Sequence, residues 1–290
     1  MEKFVVTTDS GCDLSGEYCA GLGIIPLKMC WTAGEENITD TMVPAELKVF
    51  YDGMRSGMEP KTSQVTPYQY IEFWTPLLEK KLPIVHIALG SAISGTYANG
   101  VKAAEMMREE HPDCVIHVVD STLASVGYGM LAINAAKMRD EGFTPERCVA
   151  ELERTKASVN TIYTTGDLTY LYRSGRVSRT GMVVAHTLNI WPILRLNVAG
   201  TLLVTAKERG KKHTLDRINK IIAEAVLEPE KQTLYICHSD IPEEAHEFGE
   251  SLKEFFGFKD VFYTYIGTTI GSNCGPGLMA AFFTGKDRTK

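Results

Sequence analysis

The chain has 290 residues, more than one compact domain usually holds, and a single core grows inefficient near this length, so two domains are expected. With 44% hydrophobic and 23% charged residues it has apolar material for two cores, which excludes a disordered or fibrous chain. A formal net charge of -6 excludes a general polyanion binder, because nucleic-acid affinity rests on neutralising phosphates with Lys and Arg.

The seven cysteines are widely spaced and never form C-x-x-C pairs, so they read as reduced thiols of a cytoplasmic protein. MEKFVVTTDS lacks a signal-peptide pattern, and no later stretch approaches the roughly 20 apolar residues that span a bilayer. No integral membrane segment is expected.

In chain order, Phe4 to Thr7 is an apolar run ending in Asp-Ser-Gly, which suits a buried strand entering a loop at its carboxyl end, where α/β folds place ligands. Ile24 to Met29 is a second run. Pro44 opens a helical pattern of Leu47, Phe50, Tyr51 and Met54 that stops near Gly57. PKTSQVTP is loop-like, and Pro67 then starts a helix with Thr66 as its N-cap.

Ile84 to Leu89 reads as strand, Gly90 to Gly95 as loop and 96–110 as helix. Val115 to Val119, Asp120 to Ser125 and 126–141 repeat the unit, so a parallel sheet is expected, with Asp120 or Ser121 capping the second helix. A helix from Pro145 to about Ser158 closes the first α/β domain, 1–158, and leaves a second at 159–290. There Thr161 to Thr164, a hairpin around Val198-Ala199-Gly200, a helix near 213–227, a strand at Leu234 to Cys237, a helix at 242–255 and a strand at Val261 to Tyr265 follow. In the tail, IGTTIGSNCGPGLMAAFF, Gly275-Pro276-Gly277 is expected to open an apolar helix.

Three loops dense in Ser, Thr and Gly carry the chemistry: Ser10 with Asp9 and Asp13, Thr62-Ser63, and Ser91 with Ser94-Gly95-Thr96. Singly, each hydroxyl caps a helix or completes a turn; together, at the carboxyl ends of parallel strands, they make a carboxylate or phosphate site. Arg173, Arg176 and Arg179 stand three apart, and a loop at Gly175 can turn one guanidinium inward. Lys207, Arg209, Lys211 and Lys212 read as exposed positive surface suited to an acidic or phosphate-bearing partner.

These segments together resemble the DegV family of bacterial fatty-acid-binding proteins. The resemblance runs through DSGCDL, TSQVTP, SAISGTY, DSTLASVGYG, LTYLYRSGR and IGSNCGPG, in that order over residues 9–277. It implies two α/β domains with parallel or mixed sheets and a long-chain fatty acid enclosed near their junction. The carboxylate is then held by Thr62, Ser63 and Ser94, approached by Arg176 and Asn273, with Ser10, Gly95, Thr96 and Gly275 as further lining. Asn273 stands where many members have His and offers only a neutral amide. The resemblance also implies a carrier without catalytic residues or cofactor, handing its fatty acid to a separate kinase that forms an acyl phosphate for phospholipid synthesis; the basic group at 207–212 would dock that kinase.

The rivals are a hydrolase or acyltransferase with Ser94 or Ser10 as nucleophile, and a module that sequesters lipid without a kinase. A nucleophilic Ser needs a base and an orienting acid, yet His86 and His117 lie in apolar strands without a recognisable spacing, and no G-x-S-x-G elbow occurs. No P-loop is present, and no histidine pairs at metal-ligand spacing, so no metal is expected.

Overall fold

The structure is a computed structural model that describes residues 4–177 and 189–289. Its first part runs β1 (Val5–Asp9), α1 (Gly16–Gly21), β2 (Ile24–Leu27), β3 (Cys30–Ala33), β4 (Glu36–Thr39), α2 (Pro44–Arg55), β5 (Lys61–Thr62), α3 (Pro67–Trp74), β6 (Ile84–Ala88), α4 (Thr96–Glu110), β7 (Ile116–Asp120), α5 (Val126–Asp140) and α6 (Pro145–Thr155). The second runs β8 (Val159–Thr164), α7 (Thr169–Arg173), β9 (Ile190–Leu196), β10 (Leu202–Arg209), α8 (Lys211–Ala225), β11 (Thr233–His238), α9 (Pro242–Phe256), β12 (Asp260–Tyr265), α10 (Thr268–Cys274) and β13 (Met279–Thr284).

Strands β2-β1-β6-β7 form a parallel sheet in that order. The chain leaves β1 towards β2 on one side and returns to β6 on the other, so the sheet has a switch point between β1 and β6 where the following loops part to form a crevice. β10-β9-β8-β13-β11-β12 form a second, mixed sheet, antiparallel except for β11 and β12. A small antiparallel sheet, β4-β3-β5, is inserted between β2 and β6. The fold is α/β with parallel and mixed sheets.

Residue alternation decides which layer covers each sheet. Val5, Ile84 and Ile116 point to Tyr70, Trp74, Ala103 and Met107 of α3 and α4. Val6, Val85 and Ile87 point the other way, into a core shared with α5 and with Leu194, Cys237 and Phe282 of the second sheet. The opposite face of that sheet is covered by Ile218 and Ile222 of α8 and Phe248 and Leu252 of α9. Helix α5 therefore lies between two sheets, and twelve of its 15 residues are buried, which is why its sequence is apolar apart from the exposed stripe of Asn134, Lys137 and Asp140 and the buried Arg139. Close approach requires its glycines: a Cβ on Gly127 would lie 3.0 Å from the Phe282 ring, and one on Gly129 would lie 2.8 Å from the Cys12 carbonyl.

Polar groups tie the sheet ends together. Fully buried Asp9 accepts from the Tyr70 hydroxyl at 2.8 Å and the Leu89 amide at 2.9 Å, and its carboxylate lies 3.3 Å from His86 Nε2. His86 Nδ1 meets the Thr7 hydroxyl at 2.9 Å. With these partners satisfied, the network rigidifies the carboxyl ends of β1 and β6 rather than opposing folding.

Two expectations are corrected. GPGLMAAFF does not open a helix: Met279–Thr284 is strand β13, between β8 and β11, and the helix precedes the glycines as α10. Antiparallel pairing at both edges and the burial of its four central residues, Ala280 to Phe283, override the helical preference of alanine. Nor do Asp120 and Ser121 cap α5. Asp120 accepts from the Ser91 amide at 3.0 Å and hydroxyl at 2.6 Å, and Ser121 closes its own turn onto Leu123. The short strands β3, β4 and β5 were not expected at all.

His238, buried at the end of β11, accepts from the Ile241 amide through Nδ1 at 3.3 Å. Burial pushes its pKa from 6.5 down to about 4, against the opposing pull of Asp240, Glu243 and Glu244. The folded chain then resists a proton that the unfolded chain accepts, so this contribution is present above 6.5 and is lost as pH falls towards about 4. The loss amounts to up to about 3 kcal/mol. Urea unfolding at neutral and acid pH should show a smaller drop in His238→Asn than in the unaltered chain; an equal drop would assign the acid limb to other groups.

Candidate functional site

The parallel sheet presents its carboxyl-end loops to the second sheet, and a cavity of about 280 Å³ lies between them. That is near the lower end of the roughly 300–1,000 Å³ of small-molecule pockets. Its interior wall is apolar, with Leu89, Ala124, Leu171, Leu196, Leu202 and Leu278 from both halves of the chain. Its polar wall brings together Thr62, Ser63, Gln64, Ser94, Arg176 and Asn273.

Each polar group has a local reason for its place. Thr62 is held by the pairing of β5 with β3, opposite Trp31. Asn273 is in the last turn of α10; its Nδ2 donates to Thr62 Oγ1 at 3.2 Å and to the Thr269 carbonyl at 2.9 Å. Ser94 and Thr96 share a hydroxyl contact at 2.9 Å, and Thr96 Oγ1 accepts from the Val65 amide at 3.3 Å. Asn99 donates to the Val65 carbonyl at 2.8 Å, so the start of α4 is clamped to the 62–65 loop. The N-terminus of α4 adds a partial positive charge beside these hydroxyls.

Arg176 is half-buried and donates to the Ser174 carbonyl, while the Ser174 hydroxyl reaches the Asn273 carbonyl at 3.4 Å. Burial pushes the Arg176 guanidinium below its ordinary pKa, yet guanidinium does not lose its charge in proteins. The result is one fixed positive charge and several neutral polar groups beside an apolar lining in one cavity. This arrangement takes an anionic head attached to an apolar body.

Of the residues singled out in the sequence, Thr62, Ser63, Ser94, Gly95, Arg176 and Asn273 meet on this wall. Gly95 lets the Gln64 amide lie over it: a Cβ there would fall 1.8 Å from Gln64 Oε1. Ser10, Thr96 and Gly275 lie off the wall. Buried Ser10 donates to Asp40 at 2.9 Å and accepts from the Met29 amide at 3.1 Å, and Thr96 is the clamp just described. Gly275 packs against Tyr170. Arg173 pairs with Glu59, and Arg179 lies outside the described residues.

Lys207, Arg209, Lys211 and Lys212 are exposed, the first two on one face of edge strand β10 and the others in the first turn of α8. The sequence reading missed Gln64, Ser125, Tyr163 and Thr269 on the wall. Ser125 sits between a strand and a glycine-containing helix, the same context that marked Ser94, and that signal was available.

The model of the DegV family, described as an uncharacterised protein family, matches residues 3–286. A DegV domain-containing protein of Clostridium perfringens is 34% identical, over 98% of this chain and 98% of its own length. Among solved structures, a DegV family protein of Ruminococcus gnavus, described with vaccenic acid, superposes with a TM-score of 0.85 at 25% identity, covering 97% of this chain and 100% of that one. DegV of Bacillus subtilis, described as a fatty acid binding protein, has the same fold with a TM-score of 0.85 at 24% identity, covering 99% and 100%.

Gly275, two residues beyond Asn273, has φ +74, and a Cβ on it would fall 2.1 Å from the Tyr170 ring. Gly275→Ala should cost about 1–3 kcal/mol of unfolding free energy through strain and clash together. Adding Tyr170→Ala should relieve the clash and leave the backbone share; complete recovery would show that the left-handed conformation carries no cost here.

Proposed function

The chain belongs to the DegV family, and from that premise we propose that it binds a long-chain fatty acid in the cavity between its sheets and presents it to a separate kinase for acyl phosphate formation. The observation that carries the reading is the division of one cavity into an apolar interior and a wall of Thr62, Ser63, Ser94, Arg176 and Asn273. The carboxylate accepts from the hydroxyls and Arg176, with the Asn273 amide orienting Thr62 through the bond it donates to Oγ1; the chain lies against the leucines. Burying it contributes about 0.8 kcal/mol per CH₂, so affinity comes mainly from the chain and orientation from the head. The vaccenic acid of the Ruminococcus gnavus relative is a ligand of this class.

A carrier role fits the hydroxyls. Ser94 shares its contact with Thr96, and Ser10 is committed to Asp40, so neither has a histidine among its hydrogen-bond partners in the described residues. No helix among the described residues is long and apolar enough to cross a membrane. Lys207, Arg209, Lys211 and Lys212 are exposed basic residues close in sequence on an acidic chain, which suits docking of an acidic face on the kinase in the cytoplasm.

Native mass spectrometry with lipid extraction should find a fatty acid in the purified protein, lost or depleted in Thr62→Val and Ser94→Ala. A chain that arrives empty and takes up no added fatty acid would overturn the reading. Acyl phosphate formation with the cognate kinase should fall about tenfold when Lys207 and Arg209 are changed to Glu, because unlike charges steer association. Unchanged turnover would move the docking face elsewhere and leave binding intact.

A further inference from the structure

One buried group beside the cavity is costly and has no role in the clasp just described. Asp13 follows β1 in a left-handed backbone conformation, φ 54. Its Oδ1 accepts from the Gly267 amide at 2.9 Å, its Oδ2 from the Ser125 hydroxyl, and its carbonyl from Thr264 Oγ1 at 2.6 Å. The side chain is buried, with no ion pair to a cation among the described residues. Burial pushes its pKa well up, and nearby Asp40 adds to the shift. A carboxylate in such a place opposes stability near neutral pH.

The residues it joins begin two different helices that line the cavity. Ser125, at the start of α5, lines the cavity with φ 56 and ψ -147, a backbone region that is essentially glycine's and persists only when its surroundings over-determine it. The bond from its hydroxyl to Asp13 and its 3.3 Å contact with Cys237 Sγ supply that constraint. Gly267 is the N-cap of α10, the helix that brings Thr269, Ile270, Asn273 and Cys274 to the cavity. The Asn273 contact with Thr62 is already 3.2 Å long, so a small shift of α10 removes it.

We propose that Asp13 is a positioning residue of the head-group site: by tying Gly267 to Ser125 it sets the place of α10 and therefore of Asn273 opposite Thr62. It acts on the ligand's head through that helix, without touching the ligand. The inference rests on the carboxylate clasp proposed above.

The test uses the full chain, Asp13→Asn, and two probes of equal chain length, palmitate and hexadecanol, with affinity and thermal midpoint measured near neutral pH. The variant should melt no lower than the unaltered chain, since a buried ionisable carboxyl is removed, yet bind palmitate about fivefold more weakly while hexadecanol is nearly unaffected. In an Asn273→Ala background the same change should cost nothing further, because the two residues act in series. Thr264→Val, which loosens Asp13 from outside the cavity, should show the same selectivity on a smaller scale and serves if Asp13→Asn does not fold. Equal weakening of both probes, or unchanged palmitate affinity, would overturn the positioning role. A wild-type chain that does not prefer palmitate to hexadecanol would instead overturn the clasp on which it rests.

Discussion

Helix α5 packs between two sheets, and most of the architecture follows from that. A surface helix needs one apolar stripe; a helix covered on both sides must be apolar around its circumference and thin where the sheets approach. Gly127 against Phe282 and Gly129 against Cys12 supply the thinness, and the apolar residues from Val126 to Met138, interrupted by exposed Asn134 and Lys137, supply the rest. The two α/β halves consequently share one core, and the cavity is the part of their junction left unfilled at the N-terminal end of α5.

Where the helix starts, its neighbours change from apolar to polar within a few residues. Ala124 and Leu89 lie on the apolar wall, and Ser94 is only five residues beyond Leu89. The gradient follows from topology: loops leaving the carboxyl ends of β1 and β6 diverge at the switch point, and the inserted sheet carries Thr62 across to meet α10. A pocket with donors at one end and leucines behind them discriminates by amphiphilicity more than by shape, which suits acyl chains whose middle offers nothing to hydrogen-bond.

Legibility in the sequence divides along physical lines. Long elements with clear periodicity and marked ends, such as α3 with its Thr66 capping box and α4 after Gly95, stand in the structure where their patterns place them. The two-residue strand β5 and the strands β3 and β4 have too few residues to show alternation, and β13 hides because Ala280, Ala281, Phe282 and Phe283 satisfy either period. In the candidate site, Thr62 and Ser94 were visible through motif order. Gln64 and Thr269 were not, because their places depend on contacts between segments far apart in sequence. Nor does any local pattern announce that Ser125 sits at φ 56.

Asn273 shows how the site works without a titrating group at that position. An imidazole there would change its charge near neutral pH, whereas the amide keeps its donor at every pH and spends one hydrogen on Thr62 and one on the Thr269 carbonyl. Thr269 itself is buried with no partner for its hydroxyl among the described residues, one turn before Asn273 on the same helix and on the same wall. A head group that reached it would give that hydroxyl a hydrogen-bond partner. On the proposed reading the clasp depends on where α10 sits, and Asp13 holds its N-cap Gly267 from behind the cavity-lining Ser125.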